Sequence, residues 1–282
     1  MKGKNFCLAF LPPIIILGVQ SLVSLIAVGI AVLGSALGNG ASQSYESYMS
    51  KISDMNLIGI SLLIYSVIAI AVFAPWWSKK RLTFDSRRMS FRGFKAFRLI
   101  IGIILFVVGA QIVCSFLLNF LGAAFPSELD KYSKLMEESG LDVAGITPAM
   151  VIYSAVLGPI AEELAFRGLS LGYFKKALPS FALANIFQAL LFGFIHLNFM
   201  QGAYAFLMGL LLGYVAHRTG SLLLSIVLHI CFNSSSFILE TVSPKFINGG
   251  AFCAFTVLVL SMMAVYVALV LLISSQPMAK EK

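Results

Sequence analysis

Asn56-Leu57-Ile58-Gly59-Ile60-Ser61-Leu62-Leu63-Ile64-Tyr65-Ser66-Val67-Ile68-Ala69-Ile70-Ala71-Val72-Phe73-Ala74-Pro75-Trp76-Trp77 carries no charged side chain. As a helix at 1.5 Å per residue it covers about 33 Å, enough to cross the ~30 Å hydrocarbon core of a bilayer. Hydrocarbon offers no partner for backbone N–H and C=O groups, so a crossing segment must satisfy them within itself or close into a barrel. Apolar runs of this length exclude the ~10-residue alternating strands of a barrel, leaving a bundle of transmembrane helices.

The same criterion, carried outward in both directions, predicts about eight spans. They lie near 11–37, 56–77, 99–121, 147–166, 180–199, 202–216, 221–239 and 250–274. If the short sixth segment turns back on the fifth as a re-entrant hairpin, the count falls to six. The first apolar segment runs from Phe6 to about Leu37, too long for the ~7–15-residue core of a cleavable signal, and reads as a retained anchor. The composition agrees: 59% of the 282 residues are hydrophobic, 11% are charged, and mean hydropathy is +0.94. Soluble domains carry about 25% charged residues.

The net charge of +8 would point to nucleic acid in a soluble protein, but here the placement of the charges decides. Residues 78–98 hold Lys79, Lys80, Arg81, Arg87, Arg88, Arg92, Lys95 and Arg98 against Asp85 alone. The positive-inside rule puts that loop in the cytoplasm and the acidic loop 126–146 outside. Lys2, Lys4, Lys175, Lys176, Arg218, Lys280 and Lys282 then also fall inside, with both termini cytoplasmic and no nucleic-acid partner. Cys7, Cys114, Cys231 and Cys253 lie in or beside apolar segments without Cys-x-x-Cys spacing, which suits buried thiols.

Polar residues divide the chain. Spans one to three, within residues 1–146, hold little inside the membrane beyond Gln111 and Asn119; every other candidate falls within 147–240, and 241–282 adds a last span and a short tail. The working part opens with Ile160-Ala161-Glu162-Glu163-Leu164-Ala165-Phe166-Arg167-Gly168. A charge at the bilayer centre costs about 2.5–3.5 kcal/mol even on the translocon scale, so three together need a reason. On a helix Glu163 and Arg167 are i and i+4 and can pair, while Glu162 is displaced by about 100°. One carboxylate can thus be held ionised while its neighbour meets a different environment, the division of labour that acid–base catalysis uses. Spacing alone leaves open which glutamate takes which role.

His196 lies on the fifth span, and His229 and Asn233 share a face of the seventh. Imidazole donates, accepts or shuttles a proton, and an amide N–H fixed in a dry site suits an oxyanion. Singly, each of these residues has a plainer reading as a helix–helix hydrogen bond worth about 1 kcal/mol. Gly209 and Gly213 read as close helix packing, and His217 beside Arg218 as an interfacial helix end. The conjunction on three spans outweighs the single readings: two glutamates, two histidines and an asparagine can assemble a water-activating hydrolytic site.

Glu-Glu-x-x-x-Arg, Phe-x-x-x-His (Phe192 to His196) and His-x-x-x-Asn, in that order on apolar segments, resemble the CPBP family. That group comprises CaaX proteases and bacteriocin-processing enzymes and includes the eukaryotic Ras-converting CaaX endopeptidase. The resemblance covers roughly 147–240, about a third of the chain. It implies an intramembrane glutamate endopeptidase with its cavity among spans four, five and seven, open toward the cytoplasm. Glu162 would activate water, His196 would position it or assist proton transfer, His229 and Asn233 would line the oxyanion side, and Glu163 with Arg167 would support the site. Zinc on His196, His229 and Glu162 is the variant reading; no His-Glu-x-x-His helix is present, and the expected mechanism uses no metal or cofactor. The expected substrate is a peptide or membrane-anchored protein in the bilayer of a bacterial cell membrane.

A non-catalytic scaffold, as in bacteriocin self-immunity, is the alternative from another class. A proton-coupled transporter would need the repeats and broken helices that the chain lacks. The span boundaries carry one conflict. They put His196 about 24 Å and His229 about 12 Å from the inner face, with Glu162 nearer to it than either. Bringing the three together requires span five to start later than Ser180 or to tilt strongly, which a short interfacial helix at 169–182, broken by Pro179, would allow.

Overall fold

The computed structural model describes residues 2–39, 50, 54–80, 93–138, 146–239 and 250–275. Among these the chain is all-α, without a strand: α1 Lys2–Leu8, α2 Leu11–Asn39, α3 Met55–Lys80, α4 Phe94–Ala124, α5 Pro126–Glu138, α6 Pro148–Ala177, α7 Phe181–Phe194, α8 Phe199–Thr219, α9 Leu222–Leu239 and α10 Ala251–Ser275. An apolar helix stands at each of the eight expected places. Six are long and apolar enough to cross a membrane, while α7 and the apolar part of α9 are shorter. The chain is a multi-pass membrane protein. Within the basic loop 78–98, residues 81–92 lie outside the described residues.

The core forms around α6. Ala161, Leu164, Ala165, Phe166 and Leu169 are buried against α2, α3, α7 and α9, whereas apolar side chains such as Leu25, Ile64 and Phe255 face outward, as lipid contact requires. α10 packs along α4, where glycines allow close approach: a Cβ at Gly109 would lie 2.9 Å from the Ser261 carbonyl oxygen. Small residues also close α7 on α8. Gly193 faces Gly202, Ala189 faces Gly209, and Gly213 faces the Asn185 amide, so Gly209 and Gly213 do serve helix packing. Gln188 Nε2 donates to Gly209 O at 2.8 Å and to Asn185 Oδ1 at 2.9 Å, tying this hairpin with buried amides.

Three expectations are corrected. α6 does not end near 166; it continues unbroken through Lys175 and Lys176 to Ala177, so the interfacial helix at 169–182 does not form as a separate element. Leu222 packs at the level of Gly168, which puts Glu162, six residues back along α6, and His229, seven residues on along α9, at similar heights. The conflict in depth came from cutting α6 short. Residues 126–138 form an amphipathic helix rather than a loop. Finally, Cys7 is exposed, whereas Cys114 is buried.

Candidate active site

The architecture of α6 explains how two adjacent glutamates take different surroundings. Two π-helical stretches, Tyr153–Leu157 and Leu164–Ser170, flank the α-helical Gly158–Glu163. In the first, Gly158 donates its N–H to Tyr153 O rather than to Ser154 O. Pro159, next in line, has no N–H to give. Ser154 O is therefore left without a partner from its own helix, and Asn233 Nδ2 donates to it across 2.9 Å. A buried carbonyl must be satisfied, and here a side chain of α9 does so. One amide hydrogen and the Oδ1 of Asn233 remain available on the cavity wall.

Glu163 is fully buried and its carboxylate is engaged at both oxygens. Oε1 lies 2.7 Å from Arg167 Nη1 and 2.9 Å from His229 Nδ1, while Oε2 accepts from Ser225 Oγ at 2.5 Å. Arg167 is equally buried, yet its nitrogens make no aligned hydrogen bond. Its charge is compensated by Glu163 and by the face of Phe192, whose centroid lies 4.3 Å from Cζ. Because Glu163 accepts, His229 carries its proton on Nδ1 and presents Nε2 to Glu162 Oε2 at 3.7 Å. That gap exceeds a direct hydrogen bond and suits a bridging water. The Glu162 side chain, 15% exposed, faces the cavity.

His196 is not inside a helix. α7 ends at Phe194, and His196 N donates to Gly193 O in a tightening last turn. The carbonyl of Phe192, four residues back, is taken by the imidazole instead: Nδ1 donates to it at 2.8 Å. That fixes Nε2 as the acceptor of a ring that lines the cavity. Leu197 then reverses the chain at φ 53°, a left-handed conformation that is strained for a branched side chain, and Asn198 caps α8 by accepting from Gln201 N. The Phe192 ring meets His196 edge-on at 5.2 Å and His229 at 5.7 Å, so one aromatic side chain spaces both histidines and the arginine.

These side chains enclose a cavity of about 130 Å³, lined also by Tyr153, Gln201, Tyr204 and Met208. It holds several water molecules' worth of space. All six residues singled out from the sequence come together here, on α6, the α7–α8 turn and α9, the elements expected as spans four, five and seven. Sequence reasoning missed Ser225, although it lies four residues before His229 on the same face and the i, i+4 spacing was there to read. Gln111 proves to be a cross-helix tie, donating to Phe232 O and Ser235 Oγ. His217, stacked on Phe181 at the far end of α8, stays outside the site. Among the described residues, no group of three or more His, Cys, Asp or Glu side chains is arranged to hold a metal ion.

Residues 144–235, which include the whole cluster, match the family model described as type II CAAX prenyl endopeptidase Rce1-like. A curated relative, "Putative membrane peptidase YdiL" of Bacillus subtilis (strain 168), is 28% identical over 100 residues. That match covers 36% of this chain and 41% of the relative's length. No solved structure matches the chain significantly.

Proposed function

Starting from residues 144–235 as a member of the CaaX-type membrane protease family, we propose that the chain is an intramembrane endopeptidase in which Glu162 activates the attacking water. One observation carries this reading. Arg167, His229 and Ser225 saturate Glu163, which leaves Glu162 as the carboxylate on the cavity wall. Glu162 takes a proton from water while the water oxygen bonds to the scissile carbonyl carbon. The His196 Nε2 acceptor orients that water. The remaining Asn233 amide hydrogen faces the developing oxyanion, a neutral donor fixed in place by Ser154 O. When the tetrahedral intermediate collapses, the carbon–nitrogen bond breaks and Glu162 returns the proton to the leaving amine. His229 Nε2, the ring's acceptor, is joined to Glu162 through a water that donates to both, and the ring is itself oriented by Glu163, so the supporting glutamate acts through the histidine.

The substrate is a peptide or membrane-anchored protein, and the protein sits in a cell membrane with both termini cytoplasmic. The test is cleavage of membrane-anchored peptides by purified protein in detergent, comparing wild type with Glu162→Ala and His229→Ala, each with and without a zinc chelator. Loss of cleavage in both variants, with wild-type activity unchanged by chelator, is the expected result. Wild-type activity lost on chelation would make Glu162 and the histidines zinc ligands instead, and activity retained in Glu162→Ala would end the proposal.

A further inference from the structure

The basic helix ends and the cavity lie at opposite ends of the bundle. Lys79 and Lys80 end α3, Lys175 and Lys176 end α6, and Arg218 closes α8. Contacts bring these ends together: Trp76 Nε1 donates to the Tyr173 hydroxyl at 3.1 Å, and Lys175 Nζ lies 3.2 Å from His217 Nδ1. Phe6 packs on Phe174 at 5.6 Å and brings Lys2 and Lys4 of α1 to the same end. At the other end Phe125 meets Phe199 at 5.4 Å. There α5 carries Glu128, Asp130, Glu137 and Glu138 against Lys131 and Lys134, and its Tyr132 hydrogen-bonds Tyr204.

Every helix at the cavity agrees on its position. On α6 the lining runs from Tyr153 to Glu162, the half toward Pro148 and away from the lysines. On α8 it runs from Gln201 to Met208, within about 14 Å of Phe199 on a helix about 30 Å long. On α7 only the final turn and His196 contribute, and on α9 the lining begins at His229 and continues away from Leu222. The basic ends are cytoplasmic by the positive-inside rule. We infer that the catalytic cavity opens to the extracytoplasmic face, beside α5, and takes a polypeptide segment presented from that side of the membrane. This reverses the expectation of a cytoplasmic opening. It deepens the protease reading and rests on it only for the identity of what enters.

Thiol accessibility tests the geometry without requiring turnover. In a chain whose four native cysteines are replaced by alanine, single cysteines are introduced as Gln201→Cys in the cavity, Asp130→Cys on α5 and Lys176→Cys at the basic end. Intact cells are treated with a membrane-impermeant maleimide before and after permeabilisation. The expected pattern is labelling of Gln201→Cys and Asp130→Cys in intact cells, and of Lys176→Cys only after permeabilisation. Gln201→Cys behaving like Lys176→Cys overturns the inference, as does Gln201→Cys that stays unlabelled on both sides. Labelling of Lys176→Cys in intact cells overturns it through the orientation. Should the expected pattern appear with a protein that cleaves nothing, the protease reading fails and the outward-facing cavity stands.

Discussion

Asn233 Nδ2 donates to the carbonyl oxygen of Ser154 across 2.9 Å, joining α9 to a carbonyl that α6 cannot satisfy. The cause is local: Gly158 is committed to Tyr153 O, and Pro159 lacks a hydrogen to donate. The asparagine proposed to face the oxyanion therefore also satisfies the backbone of α6. Asn233→Ala should cost about 1–3 kcal/mol of stability, the penalty for a buried acceptor left bare, together with most of the activity. Pro159→Ala restores an N–H that can reach Ser154 O in the i→i+5 pattern already used by Gly158. In the double variant the stability should recover while cleavage stays low. Unfolding in detergent, read against activity, checks both halves of that cycle.

The Glu163–Arg167 pair makes a different prediction. Both side chains are fully buried, so Glu163→Gln leaves a guanidinium without its compensating charge, facing a neutral amide and the Phe192 ring. Breaking one half of a buried pair costs about 3–5 kcal/mol, whereas replacing both halves by apolar residues of similar volume is often neutral. Glu163→Gln should lower the unfolding midpoint in detergent strongly. Glu163→Leu combined with Arg167→Met should recover much of it and remain inactive, because His229 has then lost the acceptor that fixes its Nδ1 proton.

Glu162 should behave in the opposite sense. It faces the cavity, and its 3.7 Å approach to His229 is longer than a hydrogen bond. Glu162→Gln removes a proton acceptor without stranding a partner. Cleavage should fall by about 10²–10⁴, the range for loss of a general base, with little change in the unfolding midpoint. Ser225→Ala should sit between the two glutamates: it removes a hydrogen bond to a charged group, worth about 1.5–3 kcal/mol, from Glu163 Oε2. Activity should be lowered by the freed carboxylate rather than lost.

How much of this could be read beforehand follows from the range of each cause. The helices at all eight apolar segments are set by transfer of side chains into hydrocarbon, a property each stretch carries in its own composition. The Glu163–Arg167 pair was equally visible, because i, i+4 spacing fixes proximity within one helix. A limit near 166 for α6 fails because Pro179 is the first proline beyond it, and the helix runs on to Ala177. The stop before His196 has no glycine or proline at the reversal; Leu197 is forced into the left-handed region by the packing of α7 on α8. Asn198-Phe199-Met200-Gln201 did offer a readable start for α8, a capping residue with glutamine three positions on. The first π-helical stretch was not legible, since Pro159 acts there together with a partner on α9.

The α7–α8 hairpin holds His196 in place, and its glycines supply a last prediction. A Cβ at Gly213 would collide with Asn185 Oδ1 and lie 2.7 Å from Gln188 Nε2, the amides that tie the two helices. Neither can retreat cheaply: Asn185 Nδ2 donates to Leu210 O and Gln188 Nε2 to Gly209 O. At Gly18 and Gly29 on α2, by contrast, nothing lies within 4 Å of the added atom. Gly213→Ala should therefore destabilise by about 1–3 kcal/mol through overpacking and should reduce cleavage by displacing His196. Gly18→Ala and Gly29→Ala should be neutral or slightly stabilising, since alanine gains up to about 1 kcal/mol over glycine inside a helix. Unfolding midpoints of the three variants measured side by side decide the matter. If all three shift alike, the loss is not due to the close approach of α7 and α8.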